Sequence, residues 1–419
     1  MRPTPKGCGF YGLFDNHPSA PRLSTKNTER GMKASNLSMT GRLLGQFTTR
    51  RILTFTHFRP FHSETQLMLS IKLLPETFMR YHRAITPRRI WNASKVVASY
   101  ALSNLFRRDI RLGKPFVLMV EPTNFCNLKC PLCPSGNGDM TRERGIMSFE
   151  HFKHVFEQQV DHLLLLMLWN QGEPFINKHL TDMIRLASAH NVPTLTSTNV
   201  HYIKNRETAR DIVDSGLSEL VVSLDGVTSE SYVKYRVGGN FDRVLDGIRL
   251  LVQAKRDLQS NHPLIHLQFI IMKHNEHEIE AARKFARELG VDRLSLKTAQ
   301  VYTESDIETF LPSDEKFSRY DYTADHLSTK SKISNTCRHL WYSTVINWDG
   351  AVSPCCFDKD VHYGLGDALN ESDFDQIWTG QKYTDFRNAI LKDRKSVPIC
   401  NNCSEGVKGM FYDIEKVEQ

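Results

Sequence analysis

The chain has 419 residues, 40 % of them apolar and 24 % charged, which is typical of globular proteins and allows a large core and more than one domain. The longest unbroken apolar run, Leu163–Trp169, is too short to span a bilayer, which argues against a transmembrane segment. Nine cysteines, three of them in one short loop, argue against a disulfide scaffold and for metal binding in a reducing, cytoplasmic compartment.

Positive charge is concentrated at the amino-terminal end. Residues 1–110 contain 18 Lys/Arg and 5 Asp/Glu, whereas the remainder contains 36 and 42. Residues 1–67 are predicted to be a basic, disordered leader. The alternatives are contact with nucleic acid or anionic lipid, a transit peptide, and a natural start at a later methionine. A nucleic-acid partner is not expected.

Residues 68–114 are predicted to form a helical segment, because apolar residues recur there at helical spacing. The preferred interpretation is a helical cap on the core. A second interpretation, in which the helix makes a weak contact with a membrane surface, rests on its basic residues. These are Arg88, Arg89, Lys95, Arg107 and Arg108.

Strands alternate with helices between residues 115 and 300. Short apolar runs predict the strands, and the repeated strand–helix unit implies a parallel sheet with right-handed crossovers. Six strands are too few for a closed eight-stranded barrel. The predicted strands are 116–120, 163–168, 194–197, 220–224, 265–271 and 294–296, and the predicted helices are 148–159, 178–190, 206–215, 241–258 and 276–289.

A loop with three cysteines follows the first predicted strand. Cys126, Cys130 and Cys133 have the spacing C-x3-C-x2-C. The carboxyl end of a strand is where α/β barrels place their chemistry. Three thiolates leave one position of a four-ligand metal site open, so either a distant fourth ligand completes it or a substrate or cofactor binds there. A zinc knuckle and three reduced structural thiols are the alternatives.

The segment Glu121–Pro134, which reads EPTNFCNLKCPLCP, resembles the cluster loop of the radical S-adenosylmethionine (SAM) enzymes. One departure is minor: Leu132 stands where many members have an aromatic residue. The resemblance implies that the three cysteines hold a 4Fe–4S cluster whose fourth iron binds SAM. Reductive cleavage of SAM would then yield a 5′-deoxyadenosyl radical that abstracts a substrate hydrogen. The implied fold is α/β, with an open six-strand partial (β/α)6 TIM-like barrel, which agrees with the strand count.

Polar residues after later strands are expected to bind SAM. The carboxylate of Glu173 could accept hydrogen bonds from an ammonium group, and the resemblance assigns its Gly-Glu-Pro motif to the SAM amino group; a simple Gly-Pro turn is the alternative. Arg236 could pair with the SAM carboxylate, and a surface ion pair is the alternative. The predicted SAM-binding residues are Gly172, Glu173, Pro174, Asn199, Ser223, Asp225 and Arg236.

Five further cysteines follow a polar segment, residues 301–334, which is predicted to be a linker with short helices. Asp349-Gly350 predicts a hairpin turn that would bring Cys337 near Cys355. Two later helices would return the chain so that a further C-x2-C pair completes a four-thiolate site. Spacing alone does not decide between zinc and an iron–sulfur cluster.

The pattern of these cysteines is similar to the C-terminal extension called SPASM, in its shortened or twitch form. The resemblance implies one auxiliary 4Fe–4S cluster in a small α+β domain of residues 335–419. Cys356 competes with its neighbour as a ligand. The predicted ligands of the auxiliary cluster are Cys337, Cys355, Cys400 and Cys403.

Together these features predict a radical SAM, oxidoreductase-like enzyme with a catalytic and an auxiliary 4Fe–4S cluster, SAM, and a reductant such as flavodoxin or ferredoxin. A small polar or sugar-like substrate is favoured, because no leader-peptide-binding domain is evident; a ribosomal peptide or protein substrate is the alternative. A non-catalytic iron–sulfur electron carrier is the rival from another class. No catalytic acid or base is assigned: Lys297, Tyr302 and His201 are candidates, and none stands out.

Overall fold

The computed structural model describes residues 81–323, 326–330, 333–370, 373–401, 403 and 411–417. The predicted leader and the first part of the predicted helical segment, residues 68–80, lie outside these ranges. Within the described part of the chain, no helix is long and apolar enough to cross a bilayer.

Six parallel strands form the centre of the fold, as predicted. They pair in chain order from the first to the sixth, and in β2, β3 and β4 one face is buried while alternate residues on the other face are partly exposed. Each predicted strand overlaps an observed one, with ends that differ by at most two residues. The strands are β1 (Val117–Val120), β2 (Leu165–Leu168), β3 (Thr194–Thr198), β4 (Glu219–Ser223), β5 (Leu264–Ile271) and β6 (Arg293–Thr298).

Helices alternate with these strands where the sequence predicts them. The described α-helices are α1 (Pro87–Phe106), α2 (Pro134–Asn137), α3 (Phe149–Glu157), α4 (Leu180–Ala189), α5 (Arg206–Asp214), α6 (Ser229–Tyr235), α7 (Phe241–Asp257), α8 (Ile279–Leu289), α9 (Glu304–Phe310), α10 (His339–Tyr342), α11 (Phe374–Trp378) and α12 (Gln381–Asp393). Local caps explain several ends. The Ser148 hydroxyl accepts the amide of His151 at the start of α3, and Gly290, with φ of 70°, ends α8.

The predicted linker contains more regular structure than expected. Helix α9 agrees with the expectation of short helices. The antiparallel hairpin of β7 (Tyr320–Thr323) and β8 (His326–Thr329) was not predicted, because its polar residues lack the apolar alternation that reveals a strand.

The C-terminal region extends the central sheet. Strand β9 (Ser343–Ile346) pairs in parallel with β1, β10 (Ala351–Ser353) returns antiparallel to it, and β11 (Gly366–Asp367) follows at that edge. At the other edge, β12 (Phe411–Lys416) pairs antiparallel with β6. The described strands β1–β6 and β9–β12 therefore form one open ten-stranded sheet. The predicted hairpin turn is confirmed: the Gly350 amide donates to the Asn347 carbonyl at 2.9 Å.

Helix α1 lies across the amino-terminal ends of the strands. The guanidinium of Arg89 donates to the carbonyls of Val160, His190 and Asn191, which lie in the turns before β2 and β3. Arg89 is 5 % exposed, so its predicted place on a membrane-facing surface is wrong: its guanidinium is directed inward, to the carbonyls of these turns. The helix therefore closes the end of the sheet opposite to the carboxyl ends of the strands.

Candidate active site and cluster-binding thiols

The thiol loop after β1 is compact. The Cys133 amide donates to the Cys130 carbonyl at 3.1 Å, and α2 begins at the next residue. Burial raises the pKa of the Cys126 thiol to about 12, and the nearby Cys133 and Cys130 raise it as well. Burial also raises the pKa of Cys130. The structure therefore brings the three predicted ligands together at the carboxyl end of the sheet.

The predicted Gly-Glu-Pro motif after β2 packs directly against the thiol loop. Gly172 has φ of 75°, and a Cβ there would lie 2.5 Å from the carbonyl oxygen of Phe125. The Glu173 amide donates to that same carbonyl at 2.7 Å. Only glycine permits this approach, because any side chain would push the two loops apart. The motif is therefore more than the simple turn that was the alternative.

The carboxylate of Glu173 joins the end of β2 to the end of β3. One oxygen accepts the hydroxyl of Thr198 at 2.9 Å, and the other accepts the amide of Asn199 at 2.6 Å. The side chain is 2 % exposed, and burial raises its pKa to about 7. Buried carboxyl groups with raised pKa values are typical of functional sites. Its contact with SAM stays a prediction.

Arg236 and Asp225 form an ion pair beside the thiols. Arg236 Nε lies 2.5 Å from Asp225 Oδ2, and Arg236 Nη1 lies 3.8 Å from Cys130 Sγ. The other oxygen of Asp225 accepts the amide of Ile270 at 2.8 Å. The surface-pair alternative is wrong, because the Asp225 side chain is fully buried and that of Arg236 is 13 % exposed. The predicted contacts of both residues with SAM stay predictions.

Asn199 also reaches the thiol loop. Its Nδ2 donates to Asn127 Oδ1 at 2.8 Å and lies 3.9 Å from Cys126 Sγ. Ser223 ends β4, opposite Gln268 of β5, so it lies at the same edge of the sheet. His201, a candidate base, has its Nδ1 near the Asn199 carbonyl and its Nε2 accepting the Asn240 amide, so both ring nitrogens are engaged.

Three residues that the sequence analysis missed connect the thiol loop to the C-terminal region. Glu121 follows β1, is fully buried, and pairs with both terminal nitrogens of Arg142. Arg142 Nε in turn donates to the Lys359 carbonyl at 2.7 Å, and the Trp348 amide in the β9–β10 turn donates to Glu121. No motif marks these residues, but an acidic residue directly after an apolar strand is a usable signal for Glu121.

The second group of cysteines also comes together. Burial raises the pKa of Cys355 well above its ordinary value, and the neighbouring Cys356, Cys337 and Cys403 raise it further. Burial raises the pKa of Cys400 to about 12, and Cys337 and Cys403 contribute to this rise. Cys337 precedes α10, and Cys400 and Cys403 follow α12, so the helical return that the sequence predicts brings these thiols together.

The donor sets fit the groups that these thiols are predicted to hold. Cysteine thiolates are the usual ligands of iron–sulfur clusters, and their binding releases the protons that burial favours. Among the described residues, no three His, Cys, Asp or Glu side chains meet as they would around a single metal ion, so the fit to clusters rests on the donor set and its burial.

Family models match both thiol-bearing regions. The model of the radical SAM superfamily matches residues 120–298, and that of the SPASM iron–sulfur cluster-binding domain matches residues 337–404. Together the two matches span more than half of the chain. The protein belongs to the radical SAM superfamily and carries a SPASM domain. It is therefore an enzyme of this class, for which a catalytic 4Fe–4S cluster, SAM and auxiliary iron–sulfur binding are implied; the electron-carrier interpretation is set aside. A single auxiliary cluster stays a prediction.

Three relatives show the range of this similarity. The chain is 21 % identical over 327 residues to the tungsten-containing aldehyde ferredoxin oxidoreductase cofactor-modifying protein of Pyrococcus furiosus, covering 68 % of this chain and 86 % of the relative. It is 24 % identical over 317 residues to the mycofactocin maturase MftC of Mycobacterium tuberculosis, covering 70 % and 76 %. It is 26 % identical over 193 residues to the PqqA peptide cyclase of Rhodopseudomonas palustris, covering 45 % and 48 %.

A solved structure shares the fold. SuiB of Streptococcus suis bound to SAM superposes with a TM-score of 0.51 at 17 % identity, covering 77 % of this chain and 80 % of SuiB. The likeness supports the α/β partial-barrel fold.

Proposed function

We propose that this radical SAM enzyme modifies a peptide or protein, which binds at the carboxyl end of the sheet between the two groups of thiols. The sequence analysis favoured a small polar or sugar-like substrate and held the peptide as the alternative. A relative named for a peptide substrate, the PqqA peptide cyclase, supports the alternative. The relative named for modifying a cofactor shows that other substrates occur among similar chains.

The observation that carries this proposal is an apolar rim around the thiol loop. Phe125, Ile146, Val237 and Tyr302 are each 38–46 % exposed. Phe125 precedes the first cysteine, Ile146 bridges to Thr123, and the Val237 carbonyl accepts the amide of a thiol-loop residue. Exposed aromatic and branched side chains suit apolar side chains of a peptide, whereas a sugar site requires mainly polar groups at its opening.

A cationic group lies between the two groups of thiols. Lys359 Nζ donates to the Tyr302 hydroxyl at 2.6 Å. Burial opposes the charge of Lys359, but Tyr302, Cys133 and Cys356 raise its pKa, so the side chain is close to both groups. An ammonium in this position would bind a carbonyl or carboxylate of the substrate and hold it near both clusters.

This arrangement indicates which tasks the cofactors would perform and which the chain would perform. The catalytic cluster and SAM supply the radical chemistry when bound, and the chain positions the reactants and excludes water. Arg236, Asn199 and Glu173 contact the thiol loop and hold it in position. The auxiliary cluster would either take the electron from the substrate radical or bind the substrate. A flavodoxin or ferredoxin would supply the first electron.

The experiment that tests the substrate class uses the anaerobically reconstituted protein, SAM and extract of its host separated by size. We expect the fraction of peptide and protein size to stimulate deoxyadenosine release, protease treatment to abolish the stimulation, and mass spectrometry to show a modified peptide or protein. An Ile146→Asp variant should lose the stimulation but keep the slow, substrate-free cleavage of SAM. Stimulation by the protease-resistant small-molecule fraction would refute the peptide proposal.

A further inference from the structure

Helix α1 reverses the usual arrangement of polar and apolar side chains on a surface helix. The side that faces the protein carries mostly polar residues, each at most 5 % exposed. These are Arg89, Asn92, Ser99 and Ser103, with Val96 among them. The opposite side carries Trp91 at 67 % exposure and Leu105 at 72 %. A surface helix normally buries its apolar side and exposes its polar side, so this helix has an apolar side that nothing in the described chain covers.

The exposed apolar residues are concentrated at this helix. In the described part of the chain, thirteen large apolar side chains are exposed, and seven of them lie within residues 85–112. The seven are Ile85, Ile90, Trp91, Val97, Leu105, Phe106 and Leu112. Single exposed apolar residues are ordinary on protein surfaces, but a contiguous group marks an interaction surface.

The charges on the helix and its flanking residues have one sign. Residues 81–108 contain six Lys/Arg and no Asp or Glu. Arg88 pairs with Asp161 at the edge of the surface. At the carboxyl end of the helix, Arg107, Arg108 and Lys392 line a shallow cleft. Arg107 has φ of 54°, which ends the helix and turns the chain there.

We propose that α1 docks the enzyme on an anionic membrane surface, with the apolar side at the boundary of headgroups and acyl chains and the basic residues on the lipid phosphates. A helix with exposed Trp and Leu flanked by Lys and Arg has the composition of interfacial helices. Its positive charge matches an anionic leaflet. A protein partner would have to match an apolar side and the five basic residues that remain once the buried Arg89 is left out, and residues 1–80, with 12 Lys/Arg and 4 Asp/Glu, do not complement the charge of this surface.

The position of the helix makes such docking compatible with catalysis. Because α1 lies across the amino-terminal ends of the strands, a membrane bound there faces away from the thiol loop at their carboxyl ends. The proposed docking surface shares no residue with the thiol loop or the apolar rim. Activity and membrane binding can therefore be measured separately.

The test uses the full, cluster-loaded chain and sedimentation with vesicles of equimolar phosphatidylcholine and phosphatidylglycerol. We expect binding that falls at high salt and is weak on phosphatidylcholine alone. The Trp91→Ser/Leu105→Ser variant should bind at least tenfold less, and Lys95→Gln and Arg108→Gln about fivefold less each. Val233→Ser, which changes an apolar residue on α6 that is 40 % exposed, should bind normally. Iron content and SAM cleavage should be unchanged in all of them.

Fluorescence makes the test specific to this helix. Trp91 is the most exposed of the five tryptophans. Anionic vesicles should shift its emission to shorter wavelength and brominated lipids should quench it, whereas Trp91→Phe should bind normally without this signal. Vesicle binding that is unaffected by the Trp91→Ser/Leu105→Ser change would refute the proposal and point to the basic leader. A dimer that this variant dissociates, or shielding of Trp91 from a soluble quencher without vesicles, would also refute it.

Discussion

The two groups of thiols differ in how the chain assembles them. Cys126, Cys130 and Cys133 lie within eight residues of one loop, whereas the auxiliary group extends from Cys337 to Cys403, over 67 residues. The first group needs one turn after one strand. The second needs β9 to join the sheet beside β1 and α12 to return the chain. A local motif can therefore be recognised from spacing alone, whereas a dispersed site depends on the whole C-terminal fold.

The groups also differ in their surroundings. The first has a guanidinium and an amide of the barrel directed at its sulfurs, from Arg236 and Asn199. The second surrounds Cys355 with other thiols. Hydrogen bonds to the sulfurs and positive charge near them raise the reduction potential of a cluster, and burial lowers it. We therefore expect the two clusters to differ in potential, and the following variants test that difference.

The largest effect is expected for Cys126→Ala. Loss of one of three ligands should remove the catalytic cluster, about four of about eight irons, and abolish deoxyadenosine release. The auxiliary cluster should remain, because its ligands lie on other elements. Iron analysis and chromatography of the reaction measure both quantities. Cys8→Ala is the matched control and should keep all the iron; loss of both clusters from Cys126→Ala would show that the two groups are not independent.

The second prediction separates adjacent cysteines. Cys355→Ala should lose the auxiliary cluster and the substrate modification but keep the uncoupled cleavage of SAM, because Cys337 and Cys403 lie close enough to Cys355 to raise its pKa. Cys356→Ala should keep about eight irons. Iron content and the cluster spectrum of the two variants decide the ligand. The reverse result would assign the auxiliary ligand to Cys356.

The third prediction concerns the buried ion pair at the first group. Arg236→Ala leaves the carboxylate of Asp225 buried without its partner, which should destabilise the protein by about 3–5 kcal/mol. It should also lower the potential of the catalytic cluster but not that of the auxiliary one. Arg236→Lys retains a positive charge and should have a smaller effect on both. Thermal unfolding and a redox titration measure these changes, and equal shifts at the two clusters would contradict the assignment.

The smallest effect is expected from the pH dependence of Glu173. Burial raises the pKa of this carboxyl to about 7 from an ordinary 4.5, so it ionises in the folded protein only as the pH rises through about 7. Ionisation should strengthen attraction for the SAM ammonium, so SAM affinity should rise several-fold across this range. Without SAM, the same burial makes the folded state lose stability as the pH rises from 4.5 through 7, because the unfolded chain releases the proton first.

Equilibrium binding of SAM above and below this pH tests the last prediction. Glu173→Gln should bind SAM more weakly and without the pH dependence. Glu150→Gln, on the exposed side of α3, is the control and should behave as the unchanged protein. A slope that persists in Glu173→Gln would assign the pH dependence to another group.

Much of the barrel could be predicted because its signals are local. Apolar runs located all six strands, and Ser148 and Gly290 marked helix ends by hydrogen bonding and by positive φ. The membrane-facing position of Arg89 was predicted wrongly, because helical spacing does not show which side of a helix meets carbonyl groups from distant turns. Glu121, Arg142 and Lys359 were missed for the same reason, since their contacts join segments more than 200 residues apart.

The sequence by itself determined the class of the protein: the spacing of Cys126, Cys130 and Cys133 after an apolar strand and the later cysteines identify a radical SAM enzyme with an auxiliary iron–sulfur domain. This is possible because cluster ligation needs particular residues at short separations. Only the tertiary structure decided that the C-terminal hairpin continues the barrel sheet, that Arg236 is paired with Asp225, and that α1 turns its apolar side outward. Those features depend on which edges and faces meet after folding, and spacing along the chain does not contain that information.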